Sequence, residues 1–314
     1  MKRARAWVLA LTSLLVGPSA RADVVHTYTR GETLAALSER YYGTAAQEAV
    51  LVAANGLHLQ ASPSLMTGVH LVIPSVSYHR VAPGETWERL GQRLLGHPRH
   101  GPYLARSNRG SFDISPSVGT VVRVPYLLRF VVGTDEPLFE IARRFYGDRA
   151  MVQFILGYNQ LSSTRLQRGQ VLVLPLADLT LREVAPGSPE APLVAAHGVQ
   201  REAERDLPAL LQHLRRGQYV EAVELGARLR ARPELSVDQR VALLRALAEA
   251  YVALERQDLA VEALREALTV QPSATFDPAL TPPKVLEALA LARGGSATEV
   301  IAPPPSTARP ERAH

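Results

Sequence analysis

The heptapeptide YTRGETL at residues 28–34 occurs in related form twice more in this sequence. It returns as VAPGETW at residues 81–87 and, more loosely, as VGTDEPL at residues 132–138. Self-similarity at a period of about 50 residues is typical of an internal repeat. We therefore divide this part of the chain into three units, at residues 26–75, 78–126 and 129–176.

Landmark residues keep one register in all three units. Counted from the origins Gly31, Gly84 and Asp135, glycine follows after 12 residues at Gly43, Gly96 and Gly147. Asparagine follows after 24 residues, at Asn55, Asn108 and Asn159. A later glycine precedes a proline by six residues, in the pairs Gly68 and Pro74, Gly119 and Pro125, and Gly169 and Pro175.

Apolar spacing predicts the elements of each unit. Leu34, Leu37 and Tyr41 are three and four residues apart, as on one face of a helix, and the other units repeat this spacing. A second helical stretch follows, and short β-like runs open and close every unit. The predicted order is strand, helix, helix, strand, which gives an α+β fold with a small antiparallel sheet.

These residues resemble the LysM domain family. The resemblance is carried by YTRGETL with Asn55 and GVHLVIP at 68–74, by VAPGETW with Val124-Pro125, and by GQVLVLP at 169–175. It implies three LysM domains that bind glycans containing N-acetylglucosamine, such as peptidoglycan or chitin. The binding groove would lie between the loop after the first strand and the loop after the second helix.

The resemblance places candidate glycan-binding residues in these two loops. In the first unit they are Arg30, Gly31, Glu32, Thr33, Leu34, Asn55, Gly56 and Leu57. In the second unit they are Gly84, Glu85, Thr86, Trp87, Asn108 and Arg109. The third unit lacks the glycine and threonine of the first loop, so a structural or protein-binding role is the alternative there.

The same residues also have a structural interpretation. Gly31 and Gly84 permit a positive φ at the turn into the first helix, and Thr33 and Thr86 are placed to cap that helix. The asparagines fall where the second helix should end, and asparagine both tolerates the left-handed conformation and bonds nearby backbone.

The rest of the chain changes composition. Residues 178–196 contain several prolines and predict an extended linker. Residues 200–293 are rich in Ala, Leu, Glu and Arg and predict an all-α domain. Counted from Val241, the landmarks of a tetratricopeptide (TPR) repeat fall on Ala248, Tyr251, Ala260, Leu264, Ala267 and Pro272.

The helical domain thus resembles a short TPR array. A weaker unit precedes the clear one, although Gly226 stands where a large residue is usual, and residues 282–293 predict a capping helix. The resemblance implies a protein partner in the groove, with Tyr219 and Tyr251 as candidate contacts. A helical spacer or a dimerisation module is the alternative. The Pro-rich tail at 294–314 is expected to be disordered.

The first 22 residues predict a secretory signal. Basic Lys2, Arg3 and Arg5 precede an apolar run and an Ala-Arg-Ala site, which places the mature start at Asp23. Without these residues the chain holds 31 basic against 30 acidic groups, so a nucleic-acid partner is not expected. We expect an exported protein of the periplasm or cell envelope, with no membrane anchor after cleavage. An uncleaved N-terminal anchor is the alternative.

Catalysis and cofactors are not expected. The chain has no cysteine, which excludes disulfides, a lipoprotein anchor and cysteine nucleophiles. His97 and His100 are the closest histidine pair, and no third metal ligand is evident beside them. We expect no metal site, no cofactor and no enzyme activity.

Two functional hypotheses remain. In the first, the LysM units bind peptidoglycan while the helical domain holds a partner protein, so that the chain tethers an envelope assembly. In the second, the units bind protein and the chain is a periplasmic assembly scaffold. An accessory subunit of a cell-wall hydrolase is a third and weaker alternative.

Overall fold

The computed structural model describes residues 24–57, 66–133 and 136–294. The predicted signal segment, and the predicted tail after Gly294, lie outside the described residues. Contacts divide the chain into two compact units. Of the described residues, the first unit contains those up to Ser77 together with those in Tyr126–Thr180, and the second contains Tyr78–Pro125 together with those from Leu181 onward.

The first repeat has the predicted order of elements. It comprises β1 (Val24–Thr27), α1 (Leu34–Tyr42), α2 (Glu48–Ala54) and β2 (His70–Ile73). β1 and β2 pair antiparallel, with Val24 opposite Ile73. Leu37, Leu51 and Ile73 are fully buried, so the apolar faces of both helices and of the sheet meet in one small core.

The other two repeats have the same order. The second comprises β3 (Ser77–Arg80), α3 (Trp87–Leu95), α4 (Gly101–Ser107) and β4 (Val121–Val124). The third comprises β5 (Tyr126–Val131), α5 (Leu138–Tyr146), α6 (Val152–Asn159) and β6 (Val171–Leu176). The described chain is therefore a mixed α and β protein with small two-stranded sheets, followed by a helical C-terminal region.

The predicted turns and caps are present. Gly31 and Gly84 have φ values of 94° and 78°. The Thr33 hydroxyl accepts the Ala36 N–H at 3.1 Å, and the Thr86 hydroxyl accepts the Arg89 N–H at 3.4 Å. Pro137 occupies this cap position in the third repeat and makes no side-chain cap. The glycines 12 residues after the origins end α1, α3 and α5 in the left-handed conformation.

The first repeat packs against the third within the first compact unit. In the first compact unit, α2 packs against β5 and α5, so the first repeat contacts the third. The Val76 N–H donates to the Leu179 carbonyl at 3.0 Å, which joins the end of the first repeat to the segment after β6. The second repeat belongs instead to the helical unit. Contacts between non-adjacent repeats depend on surface complementarity, which spacing alone does not reveal.

Five helices follow in the described C-terminal region. They are α7 (Ala191–Arg215), α8 (Tyr219–Arg230), α9 (Val237–Ala253), α10 (Gln257–Val270) and α11 (Pro283–Ala292). One apolar cluster joins α7, α8 and α9, and another joins α9, α10 and α11. Gly226 fits this packing, because a Cβ there would lie 2.4 Å from Leu247 Cδ2.

The predicted linker at 178–196 is wrong in its last part, because α7 begins at Ala191. The Ser188 hydroxyl accepts the Ala191 N–H at 3.2 Å and supports this helix start. Pro192 lies in the first turn, where a helix needs no N–H from it. The proline-rich composition therefore marks a helix N-terminus here.

Candidate functional site

The two predicted groove loops of the second repeat are exposed and are connected through Trp87. The Trp87 side chain is buried, and its indole Nε1–H donates to the carbonyls of Ser111 and Ile114 at 3.0 and 2.9 Å. Trp87 stands at the end of the first loop, while its two acceptors lie in the loop between α4 and β4. The buried indole therefore connects the two loops.

Gly110 makes room for this indole. A Cβ at Gly110 would lie 2.9 Å from Trp87 Cζ2. The corresponding positions hold two leucines in each of the other repeats. These pairs are Leu34 and Leu57 in the first repeat, and Leu138 and Leu161 in the third. The second repeat thus combines a large and a small residue where its neighbours use two residues of medium size.

The three asparagines form one repeated clamp. Asn55 Nδ2 donates to the carbonyls of Leu51 and Val72 at 2.8 and 2.9 Å, and Asn55 Oδ1 accepts the Val72 N–H at 2.7 Å. Asn108 and Asn159 make the same bonds to their own second helix and second strand. Each side chain therefore fastens the helix end to the strand that closes the unit.

The left-handed conformation falls on the residue after the asparagine and not on the asparagine itself. Asn55 has a φ of −99° and Asn108 a φ of −104°. The next residue takes the left-handed conformation instead, at Gly56, Arg109 and Gln160, with φ values of 64°, 59° and 56°. The asparagine side chain bonds the closing strand, so the left-handed turn of the backbone occurs at the following residue.

The motif glutamates are held inside their own repeats. Glu32 Oε2 lies 2.9 Å from His26 Nε2 and accepts the Thr29 N–H at 2.8 Å. Glu85 Oε2 likewise lies 2.7 Å from His79 Nε2 and accepts the Ala82 N–H at 2.9 Å. These carboxylates stiffen the loop that precedes the first helix.

Both carboxyl groups titrate below the ordinary range. The hydrogen bond from His26, followed by that from the Thr29 N–H, lowers the pKa of Glu32 to about 2. Burial opposes ionisation of Glu85, but the bonds from Ala82 and His79 outweigh it and lower the pKa of Glu85. The glutamates are thus ionised and internally engaged at neutral pH.

An ion pair recurs at this place in the three repeats. The arginine nine residues after each origin faces the motif glutamate, in the pairs Glu32 and Arg40, Glu85 and Arg93, and Glu136 and Arg144. The third repeat replaces the histidine by Phe130, whose ring lies 5.1 Å from that of Phe145. The third repeat therefore keeps this ion pair while it lacks the glycine and threonine of the motif.

The first repeat shows part of its predicted groove. Arg30, Gly31 and Thr33 are exposed, whereas Leu34 is buried. On the opposite side Gly56 is exposed and Leu57 is half-buried. The loop continues through residues 58–65, which lie outside the described residues.

The predicted partner contacts are packing residues. Tyr219 packs against the cluster of α7, α8 and α9, and Tyr251 packs against both clusters of the helical region. A cavity of about 290 Å³ nearby is lined by apolar residues that the sequence analysis did not select. They include Leu207, Leu211, Phe276, Leu280 and Val285. Leu211 and Leu280 are 44% and 80% exposed.

Gln200 is a further residue that the sequence analysis missed. Its side chain is 3% exposed and lies on α7. Its Oε1 accepts the Val121 N–H at 2.8 Å, and its Nε2 donates to the carbonyls of Gly119 and Glu234 at 2.9 and 2.8 Å. One amide therefore joins the second repeat to the helical region. The available signal was a polar residue within the apolar stripe of α7.

The histidine pair has structural contacts. His97 Nδ1 accepts the Arg99 N–H at 3.1 Å and caps a 3₁₀ turn, and His100 Nδ1 lies 3.0 Å from the Leu95 carbonyl. Among the described residues, no group of three or more His, Asp or Glu side chains could hold a metal ion.

Comparison with known families distinguishes the repeats. The LysM domain family matches residues 130–175, which span nearly the whole third repeat. Residues 130–175 are a LysM domain. The Phage Tail Protein X family matches residues 24–82, which span the first repeat. The LysM domain is therefore found in the copy whose first loop departs most from the motif. The LysM assignment of the other two repeats and the TPR assignment stay predictions.

Two curated relatives match part of the chain. Both are named esterases, come from two strains of Mycobacterium tuberculosis, and are 30% identical over 151 residues. The alignment covers 48% of this chain and 32% of each relative, so the chain spans about a third of their length. No solved structure matches the chain significantly. Every helix in the described ranges is too short or too polar to cross a bilayer.

Proposed function

We propose that this protein binds wall glycan containing N-acetylglucosamine without catalysing a reaction on it. In this proposal all three repeats act as LysM domains, and the helical region holds a partner protein. The observation that carries the proposal is the LysM domain at residues 130–175. The shared asparagine clamp supports its extension to the other repeats, because the same three bonds fasten the second helix to the closing strand in each of them.

The groove of the second repeat suits an uncharged sugar. Glu85 is engaged with His79 and Arg93, and the Thr86 hydroxyl caps a helix, so neither is available to a ligand. The loops instead offer backbone groups and the apolar side chains of Phe112 and Ile114, which are 37% and 71% exposed. Backbone amides with apolar contacts recognise an N-acetyl group without charge.

Several weak sites would act together. A shallow groove binds a sugar weakly, but linked copies raise the effective concentration of each site along a polymeric glycan. The mutual packing of the first and third repeats holds these two grooves in a fixed relation within one compact unit. The proposed role is therefore attachment to an insoluble polymer. Export to the periplasm or envelope is part of this proposal.

A scaffold that binds protein through its repeats is the second candidate. It is favoured by the contact that the second repeat makes with α7 through Gln200, because this repeat already uses one surface for a protein contact. The match of the first repeat to the Phage Tail Protein X family also favours a role outside glycan binding for that copy.

Groove-filling variants test the proposal. Gly31→Trp combined with Gly84→Trp places bulk at both first loops, where a Cβ meets no atom within 4 Å. Because both positions have positive φ, the matched control is Gly31→Ala with Gly84→Ala, which carries the same backbone strain without the bulk. We expect the tryptophan variant to bind insoluble peptidoglycan less than the alanine variant at equal helicity. Equal binding by both variants would contradict the groove assignment.

A further inference from the structure

A second cavity lies within the compact unit that contains the second repeat and the helical region. Its volume is about 380 Å³, which falls in the range of about 300–1,000 Å³ that is usual for small-molecule pockets. One wall is the loop after α4, with Trp87 behind it, and the opposite wall is the face of α7 that carries His197 and Arg201. The cavity shares the loop after α4 with the predicted glycan groove, but its opposite wall comes from α7 and not from the loop before α3.

Two arginines that line the cavity, Arg109 and Arg123, have no ion pair among the described residues. Arg109 is exposed on the loop after α4, whereas Arg123 is half-buried. Arg201 is paired with Glu204. Arg123, from β4, also lines the cavity, and in the part of the chain that the structure describes its guanidinium has no ion pair and no hydrogen bond. Asp238 lies at the rim, where its backbone N–H donates to the Ser117 hydroxyl at 3.3 Å. With the Asp238 carboxylate set against Arg109 and Arg123, the lining keeps an excess of one positive charge.

The His197 imidazole also lines the cavity and is uncharged at neutral pH. Burial, followed by the charges of Arg123 and Arg201, lowers the pKa of His197 to about 4. The imidazole is therefore neutral at neutral pH. Its ring lies 5.2 Å from that of Tyr78, which fixes its orientation. The half-buried His197 ring therefore offers an uncharged face against which a sugar ring can pack.

We propose that this cavity binds a carboxylate-bearing amino sugar, with Arg123 as the residue that holds the carboxylate. The proposal rests on the glycan-binding function proposed above and adds recognition of that glycan's N-acetylmuramic acid where its carboxyl group is not joined to a peptide. A guanidinium fork binds a carboxylate through two parallel hydrogen bonds. N-acetylmuramic acid carries such a carboxylate on its lactyl group, and N-acetylglucosamine is the same sugar without it.

Titration with these two sugars tests the proposal on the whole protein. Trp87 is the one tryptophan after residue 22 and borders the cavity, so its fluorescence reports occupancy. We expect N-acetylmuramic acid to bind about tenfold more tightly than N-acetylglucosamine, as one charge-assisted contact provides. Arg123→Gln should abolish this preference. Glu204→Gln should increase the preference for N-acetylmuramic acid, because the substitution removes the ion-pair partner of Arg201. Arg106→Gln, an exposed arginine of α4 outside the cavity, is the control and should change nothing.

The outcomes separate this proposal from the proposed function. A preference that survives Arg123→Gln, or equal binding of the two sugars to the unmodified protein, would overturn the cavity assignment. If neither sugar binds while the protein still sediments with peptidoglycan, the cavity proposal fails and the glycan-binding function stands. If sedimentation also fails, both are overturned.

Discussion

Trp87 and Gly110 show how single residues distinguish one repeat from its neighbours. The Trp87 indole holds the two loops of the candidate groove through two hydrogen bonds, and Gly110 leaves the space that the indole needs. The first and third repeats have leucines at both of the corresponding positions. The groove of the second repeat therefore owes its shape to a compensating pair of residues.

Gly110→Leu should destabilise the second repeat, because the new side chain overlaps the indole. Overpacking of this kind costs about 1–3 kcal/mol. Adding Trp87→Leu recreates the leucine pair of the other repeats and should recover at least half of the loss. Urea unfolding followed by circular dichroism measures both changes. Additive losses in the double variant would show that the two positions are not coupled.

Glu32 should make the first repeat sensitive to acid. The folded state lowers the pKa of Glu32 from 4.5 to about 2, so its hydrogen bonds stabilise the fold above about pH 4.5 and are lost as the pH falls towards 2. Glu32→Gln should therefore be less stable than the unmodified protein at neutral pH, and this difference should vanish near pH 2. Urea midpoints across this range measure it. The exposed Glu39→Gln is the control. A stability difference between Glu32→Gln and the unmodified protein that stays constant with pH would contradict the account.

At the scale of elements, the asparagine clamp is the device that closes each unit. A two-stranded sheet is only marginally stable by itself and depends on its packing against the helices. The clamp adds bonds from one side chain to both the helix end and the closing strand, and it recurs with nearly equal distances in the three repeats. This regularity explains why asparagine stands 24 residues after each origin.

Asn159→Ala should destabilise the LysM domain strongly. The substitution leaves the Val173 N–H and the carbonyls of Ile155 and Val173 without their side-chain partner. Unsatisfied backbone groups cost about 1–3 kcal/mol each, so we expect a total loss of at least about 2 kcal/mol. Differential scanning calorimetry measures it, with the exposed Gln153→Ala on the same helix as the control. A loss no larger than that of the control would exclude the clamp as a stabilising device.

The sequence predicted elements better than it predicted their contacts. The order of strands and helices, the threonine caps and the left-handed glycines follow from local spacing, and the structure contains them. The shift of the left-handed residue to Gly56, Arg109 and Gln160 could not be predicted, because it depends on a strand distant in sequence. The packing roles of Tyr219 and Tyr251 also depend on distant helices.

At the scale of the whole molecule, one chain distributes its repeats between two compact units. The first and third repeats belong together, and the second belongs with the helical region. Gln200 carries much of the second association, since its buried amide bonds both the second repeat and the turn before α9. The repeats are thus alike in fold and different in their surroundings.

Gln200→Ala should loosen the second repeat from the helical region. The Val121 N–H and the carbonyls of Gly119 and Glu234 would lose their partners, and we expect a loss of at least about 2 kcal/mol. Trp87 fluorescence during urea unfolding measures the change within the second repeat. The exposed Gln212→Ala on the same helix should have little effect. Unchanged unfolding of Gln200→Ala would show that other contacts hold this association.

The central claim is that the repeats bind wall glycan. The most direct test is co-sedimentation of the purified protein with insoluble peptidoglycan, with and without chitin oligomers as the competitor. The account predicts that the protein sediments and that the oligomers release it. A folded protein that remains in the supernatant, or one whose sedimentation the oligomers leave unchanged, would contradict glycan binding and favour the scaffold that binds protein.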